Sequence, residues 1–186
     1  MAKRIPKPVA PVILKPKKWQ PSLERQAEMD NYLWDRHTMR IYCDCSISQK
    51  LGAHGVAAAF VFDGSVIVRS RKVYDLTMKL RSTHGELQAV LFALRELTVG
   101  VPGISTPTDQ VIVYTDVQSI ETLIERPNEE AVRSLSKQIT GAKMAILSKW
   151  PDLDVQILFL PPEEQKHNPW YTAAHNAARR EVSLGR

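Results

Sequence analysis

Only two cysteines, Cys43 and Cys45, occur in the 186 residues, which excludes a fold stapled by disulfides. They stand two apart on one expected strand, roughly 7 Å from each other along it, too far for easy bridging. Both read as reduced core thiols. A zinc site is equally unsupported, because two cysteines bring no second ligand pair of the usual spacing. No apolar run approaches the roughly 20 residues that cross a bilayer, and the early Val12-Ile13-Leu14 is too short for the core of a secretory signal. The expectation is a protein that is not secreted, is intracellular (cytoplasmic or nuclear), and has no membrane partner. Acids are missing from residues 1–18, where Lys3, Arg4, Lys7, Lys15, Lys17 and Lys18 supply six positive charges. Those six exceed the net charge of +5, so the rest of the chain is close to neutral.

What is present fits an ordinary globular domain: 44% apolar and 24% charged residues, in a length that buries a core without staples. Residues 1–37 are expected to form a basic, proline-rich arm with a short helix, and residues 38–186 a single domain. Pro6, Pro8, Pro11, Pro16 and Pro21 among lysines favour extended, solvated backbone. Such an arm can lie along phosphates and add salt-sensitive affinity, or it can be a solvated tail. The short helix is expected over Ser22–Trp34, with Ser22 as N-cap and Glu24 in the first turn.

Strands follow at Arg40–Ser46, Val56–Phe62 and Val66–Tyr74. A turn bearing Gly52 and Gly55 separates the first two, and Asp63-Gly64 marks a two-residue hairpin between the others. Leu87, Val90, Leu91, Leu94 and Leu97 recur at helical spacing and predict a helix over His84–Leu97 that ends before Pro102 and Gly103. Val111–Thr115 reads as a strand buried on both faces. A short helix through Ile120, Leu123 and Ile124, a longer one over 129–149, a strand Val155–Leu160, a Pro-Pro loop and a last helix over Pro169–Val182 complete the chain. No internal repeat is present.

Three carboxylates stand where strand gives way to something else: Asp44 on the first strand, Glu86 at the opening of the apolar-periodic helix, and Asp116 just past Val111–Thr115. Acids from separate strand ends and one helix start can converge at the edge of a single sheet. Their repulsion is tolerable there if divalent cations neutralise it. Hard oxygen donors suit magnesium or manganese, ions that serve phosphoryl transfer.

The motif order resembles the ribonuclease H superfamily, in particular the ribonuclease H domains of eukaryotic retroelements, over residues 38–186. Tyr42-Cys43-Asp44-Cys45-Ser46 looks like the family's Asp-Gly-Ser opening with Cys45 in place of Gly. Thr83-His84-Gly85-Glu86-Leu87-Gln88-Ala89 is similar to its Glu-Leu helix start, and Tyr114-Thr115-Asp116-Val117-Gln118-Ser119 to its Thr-Asp-Ser/Asn strand end. Ala173-Ala174-His175-Asn176-Ala177-Ala178-Arg179 looks like its Ala-Asp-x-x-Ala helix, with His175 where Asp is usual. The resemblance implies an α/β fold with a mixed five-stranded sheet, three antiparallel strands then alternating helix and strand, and helices on both faces. It also implies hydrolysis of the RNA strand of RNA–DNA hybrids with two Mg²⁺ or Mn²⁺ ions. Asp44 would bridge both ions, Glu86 and Asp116 would complete one site, and His175 would take the fourth ligand position. His167 lies in the loop of the family's mobile histidine, but Pro161-Pro162-Glu163-Glu164 replaces the usual context. An imidazole at 175 implies preference for manganese and activity that falls as the ring gains a proton.

Each residue has a plainer use. Thr83-x-x-Glu86 is a capping box, and Asp116 or Thr115 could cap the following helix. Asp44 lies opposite Ile41, Cys43 and Cys45 and need not be buried with them. Trp150, Trp170 and Tyr171 could stack on nucleotides or pack inward. Gly52-Ala53-His54-Gly55 is a small-residue turn that could let a phosphate or sugar approach the backbone. The competing reading is a retroelement-derived domain that no longer cleaves and instead binds nucleic acid or a protein partner. A third is one piece of a reverse transcriptase polyprotein. A monomer is expected.

Overall fold

The structure, a computed structural model, describes residues 21–74, 82–101, 109–127 and 129–183. Pro102 and Gly103, expected to end a helix, and the basic segment before Pro21 lie outside the described residues. Five strands form one sheet: β1 (Thr38–Ser48), β2 (Ala53–Phe62), β3 (Ser65–Tyr74), β4 (Gln110–Thr115) and β5 (Asp154–Phe159), in the order β3-β2-β1-β4-β5. β1, β2 and β3 are antiparallel neighbours, whereas β4 runs parallel to β1 and β5 parallel to β4. This is the mixed five-stranded sheet expected from the motif order.

The hairpin turn between β2 and β3 has φ 44° at Asp63 and 73° at Gly64. Two left-handed residues in succession match the twist of the flanking strands, and Phe62 accordingly faces Ser65 across the turn. Alternation along the strands divides the interior in two. Met39, Ile41 and Cys43 of β1, with Val56, Ala58 and Phe60 of β2, face α2 (Ser82–Val99), while α3 (Ile120–Glu125) and α4 (Glu130–Lys149) close the same core. Tyr42, Ala57, Ala59 and Val61 face the opposite way, toward α6 (Pro169–Ser183) and Met29 of α1 (Leu23–Leu33). Helices therefore cover both faces.

The small residues of β2 admit the α6 backbone. A Cβ on Gly55 would lie 2.1 Å from the Ala178 carbonyl oxygen, so only glycine permits this approach. Gly55 lies within β2, paired with Ser46, and the turn is confined to residues 49–52. The small-residue stretch thus serves helix packing, which corrects its reading as a turn open to a phosphate or sugar.

Other differences are local. Ser82 already lies in α2, so Thr83 falls inside the first turn and is not the N-cap. The capping box, the plainer alternative for Thr83 and Glu86, is not formed, because the Glu86 carboxyl faces Asp116 and not the helix start. α2 stops at Gly100, whose φ of 101° and N–H bond to the Glu96 carbonyl (3.0 Å) end it in a left-handed cap. Residues 162–165, expected as loop, make a one-turn helix, α5 (Pro162–Gln165); Pro at the first position is preorganised for that turn. The α1 N-cap is Ser22, whose side chain accepts from the Arg25 N–H at 3.2 Å. At its other end the Gly64 N–H donates to the Leu33 carbonyl at 2.7 Å, tying α1 to the β2–β3 hairpin. No helix of the described residues is long and apolar enough to cross a membrane.

Candidate metal centre

β1 and β4 run side by side up to Tyr42 and Tyr114, after which β4 ends and β1 continues to Ser48. The carboxyl ends of parallel strands thus open a notch, the place where ligands bind in sheets of this kind. Asp44 lies on the continuing strand and is 3% exposed, while Asp116 follows β4 immediately and is half-buried. Asp44 is buried beneath α6, on the opposite face from Cys43, and not left exposed by that placement. Glu86, 5% exposed, enters from the first turns of α2. Gly85 explains how that helix comes so close: a Cβ there would lie 2.4 Å from Cys45 Sγ. The Cys45 thiol therefore fills the space that Gly85 leaves. Cys43 and Cys45 are both free thiols, as expected, and burial pushes each thiol up from its ordinary range.

One ligand oxygen from each of Asp44, Glu86 and Asp116 lies within 4.8 Å of the others. Burial raises all three carboxyls above their ordinary range, and mutual repulsion adds to it at Glu86 and Asp44. Glu86 faces Asp116, and its Oε2 is buried with no hydrogen-bond partner. Three repelling hard-oxygen donors and one orphaned carboxylate oxygen fit a divalent cation of the magnesium or manganese kind. Neither Asp116 nor Thr115 caps a helix, since the residue preceding α3 is Ser119.

α6 grips the same centre from the other side. The Tyr171 hydroxyl donates to Asp44 Oδ1 at 2.9 Å, and His175 Nδ1 lies 3.1 Å from Asp44 Oδ2. The two rings stack with centroids 6.4 Å apart, as residues four apart on one helix face can. The group of meeting ligand atoms comprises the three acids; His175 stands next to it, on Asp44. His167, in the turn before α6, lines a hollow of about 400 Å³ shared with Pro21, Gln26, Met29 and Asp30 of the α1 side. Tyr171, read in the sequence as a stacking platform, is a partner of Asp44; its spacing from His175 was the available signal. Trp170 is 7% exposed and stacks on Tyr42, so it belongs to the core. Trp150 packs against the other core with Lys149 over its ring.

No family model and no curated protein matches the sequence. Solved structures do. Ribonuclease H1 from the halophilic archaeon Halobacterium salinarum NRC-1 superposes with a TM-score of 0.57 at 15% identity, covering 78% of this chain and 98% of its own. LC11-RNase H1, isolated from compost by a metagenomic approach, gives 0.56 at 15% identity over 79% of this chain and 96% of its own. Its complex with an RNA/DNA hybrid gives 0.55 at 17% identity over 77% and 99%. The fold is that of the ribonucleases H.

Proposed function

We propose that this chain is a metal-dependent endonuclease of the ribonuclease H type, hydrolysing the RNA strand of RNA–DNA hybrids. The observation that carries the reading is the meeting of Asp44, Glu86 and Asp116 within 4.8 Å, at the open end of parallel strands in a fold shared with an enzyme solved in complex with an RNA/DNA hybrid. A bound Mg²⁺ or Mn²⁺ would neutralise charge on the phosphoryl oxygens and acidify a water for in-line attack. The three acids are the groups that would hold it. Two ions are the fuller form of the reading, with Asp44 shared between them and His175 as the fourth ligand.

The remaining chemistry lies with this chain's own side chains. The Tyr171 hydroxyl and the His175 ring together take both oxygens of Asp44, fixing its rotamer. To ligate an ion held by Asp44, His175 would turn the lone pair of Nδ1, now 3.1 Å from Asp44 Oδ2, toward that ion. That softer donor favours Mn²⁺ over Mg²⁺. Recognition would rest on duplex shape and 2′-hydroxyls. The basic arm of residues 1–37 is proposed to add phosphate affinity; α1 anchors it, and Pro21, where the described chain begins, borders the same hollow as Lys166. The retroelement kinship and a monomeric state belong to the same proposal.

A second reading, a domain that binds nucleic acid or a protein partner without cleaving, is favoured by the bond of His175 to Asp44 in place of a fourth acid. Incubation of a labelled RNA–DNA hybrid with Mg²⁺ or Mn²⁺, beside Asp44→Asn, separates the two. Cleavage that the substitution abolishes supports the nuclease. Tight hybrid binding with no cleavage in either metal supports the scaffold.

A further inference from the structure

An open hollow of about 350 Å³ lies on the α6 side, lined by Pro162, Gln165, Lys166, Tyr171, Thr172 and His175. Tyr171 and His175, both in contact with Asp44, form one wall of it. Most of its hydrogen-bond donors are already engaged. Tyr171 donates to Asp44, the Thr172 hydroxyl to the Asn168 carbonyl at 2.9 Å, and the Gln165 amide to the Leu160 carbonyl at 2.7 Å. Lys166 is exposed and joins no ion pair among the described residues. Its place is set by the unexpected α5 turn, since its N–H donates to the Pro162 carbonyl at 3.1 Å. That turn holds residue 166 on the ridge bordering both hollows.

We propose that Lys166 holds a backbone phosphate of the strand presented to the carboxylates, filling with a point charge the place that motif order would give to His167. The inference rests on the hybrid-cleaving reading. A polyanion brought against three acids needs compensating cations close by, and an unpaired ammonium donates to phosphate without requiring one geometry. The contact is sequence-blind and positions the strand.

The test measures hybrid binding to the full chain by fluorescence anisotropy across a salt series, in an Asp44→Asn background that binds without cleaving, with Mn²⁺ present. Lys166→Met should weaken binding by about five- to ten-fold and reduce the slope of log affinity against log salt by about 1. Lys166→Arg should restore both, and His167→Ala should leave the slope unchanged. Mn²⁺ binding to the otherwise wild-type Lys166→Met chain, followed by calorimetry, should match the parent, separating a phosphate contact from damage to the metal centre. Hybrid binding with an unchanged slope in Lys166→Met, or a slope lost in His167→Ala instead, overturns this proposal alone. A chain that binds no hybrid at low salt overturns it together with the reading on which it rests.

Discussion

Replacing Glu86 by Gln should make the cation-free protein more stable while removing its activity. Glu86 is 5% exposed, has an unpartnered Oε2, and faces Asp116 and Asp44. Glutamine keeps the length and offers its amide N–H to Asp116. Relief of a buried, incompletely partnered charge is worth about 1–3 kcal/mol. In a chain of this size that raises the midpoint of thermal unfolding by about 2–4 °C per kcal/mol. The sign with pH follows from the raised carboxyl. The folded state binds the Glu86 proton more readily than the unfolded state, so this group's contribution is most favourable in acid. It is lost as pH rises from the ordinary carboxylate range through the raised folded value. The variant's advantage should therefore widen as pH rises above the ordinary carboxylate range through the raised folded value. Thermal unfolding in EDTA, followed by circular dichroism at several pH values, reads it directly. Equal or lower stability at pH 8 with an intact fold would refute the reasoning, because the carboxylate would then be compensated by its own surroundings.

Further outcomes follow from the same geometry. Mg²⁺ or Mn²⁺ at 100 times its dissociation constant should stabilise the wild-type chain by about 2.7 kcal/mol, an effect absent in Asp116→Asn by differential scanning calorimetry. That gain should shrink on acidification, beginning above the ordinary carboxylate range, because protons compete for all three raised carboxyls. Gly55→Ala should cost about 1–3 kcal/mol by overpacking, since its Cβ meets the Ala178 carbonyl oxygen at 2.1 Å. Shifting α6 also loosens Tyr171 and His175 on Asp44, so cleavage should fall by more than the folded fraction measured in urea. Deleting residues 1–20 should lower the salt slope of hybrid binding by up to about 5, six charges each contributing about 0.9, while cleavage of saturating hybrid persists; an unchanged slope would make the arm a solvated tail.

Much of this molecule is legible along the chain because its signals are local. The Asp63-Gly64 hairpin needs two left-handed residues, the leucines of α2 repeat at helical spacing, and the apolar run of β4 is short enough only for a strand buried on both faces. Those patterns, in that order, lead to three antiparallel strands and to three acids at element junctions; the mixed sheet is what the family resemblance implies. The misread positions are ones whose neighbours are remote. Thr83 and Glu86 also satisfy the capping-box pattern, the plainer rival of the ligand reading, and that rival fails because the pull on Glu86 comes from β1 and β4, which local spacing does not report. Gly55 reads as a turn residue until the α6 backbone, more than a hundred residues away, is packed against it.

Residue types and their order by themselves determined the strands, the helices and the acidic character of the notch. Tertiary structure alone decided that Tyr171 and His175 close on the two oxygens of Asp44, and that α5 leaves Lys166 beside them with His167 on the α1 side. The physical reason is that hydrophobic periodicity encodes which face of an element is buried, whereas hydrogen bonds between side chains over a hundred residues apart depend on how closely two finished elements can approach.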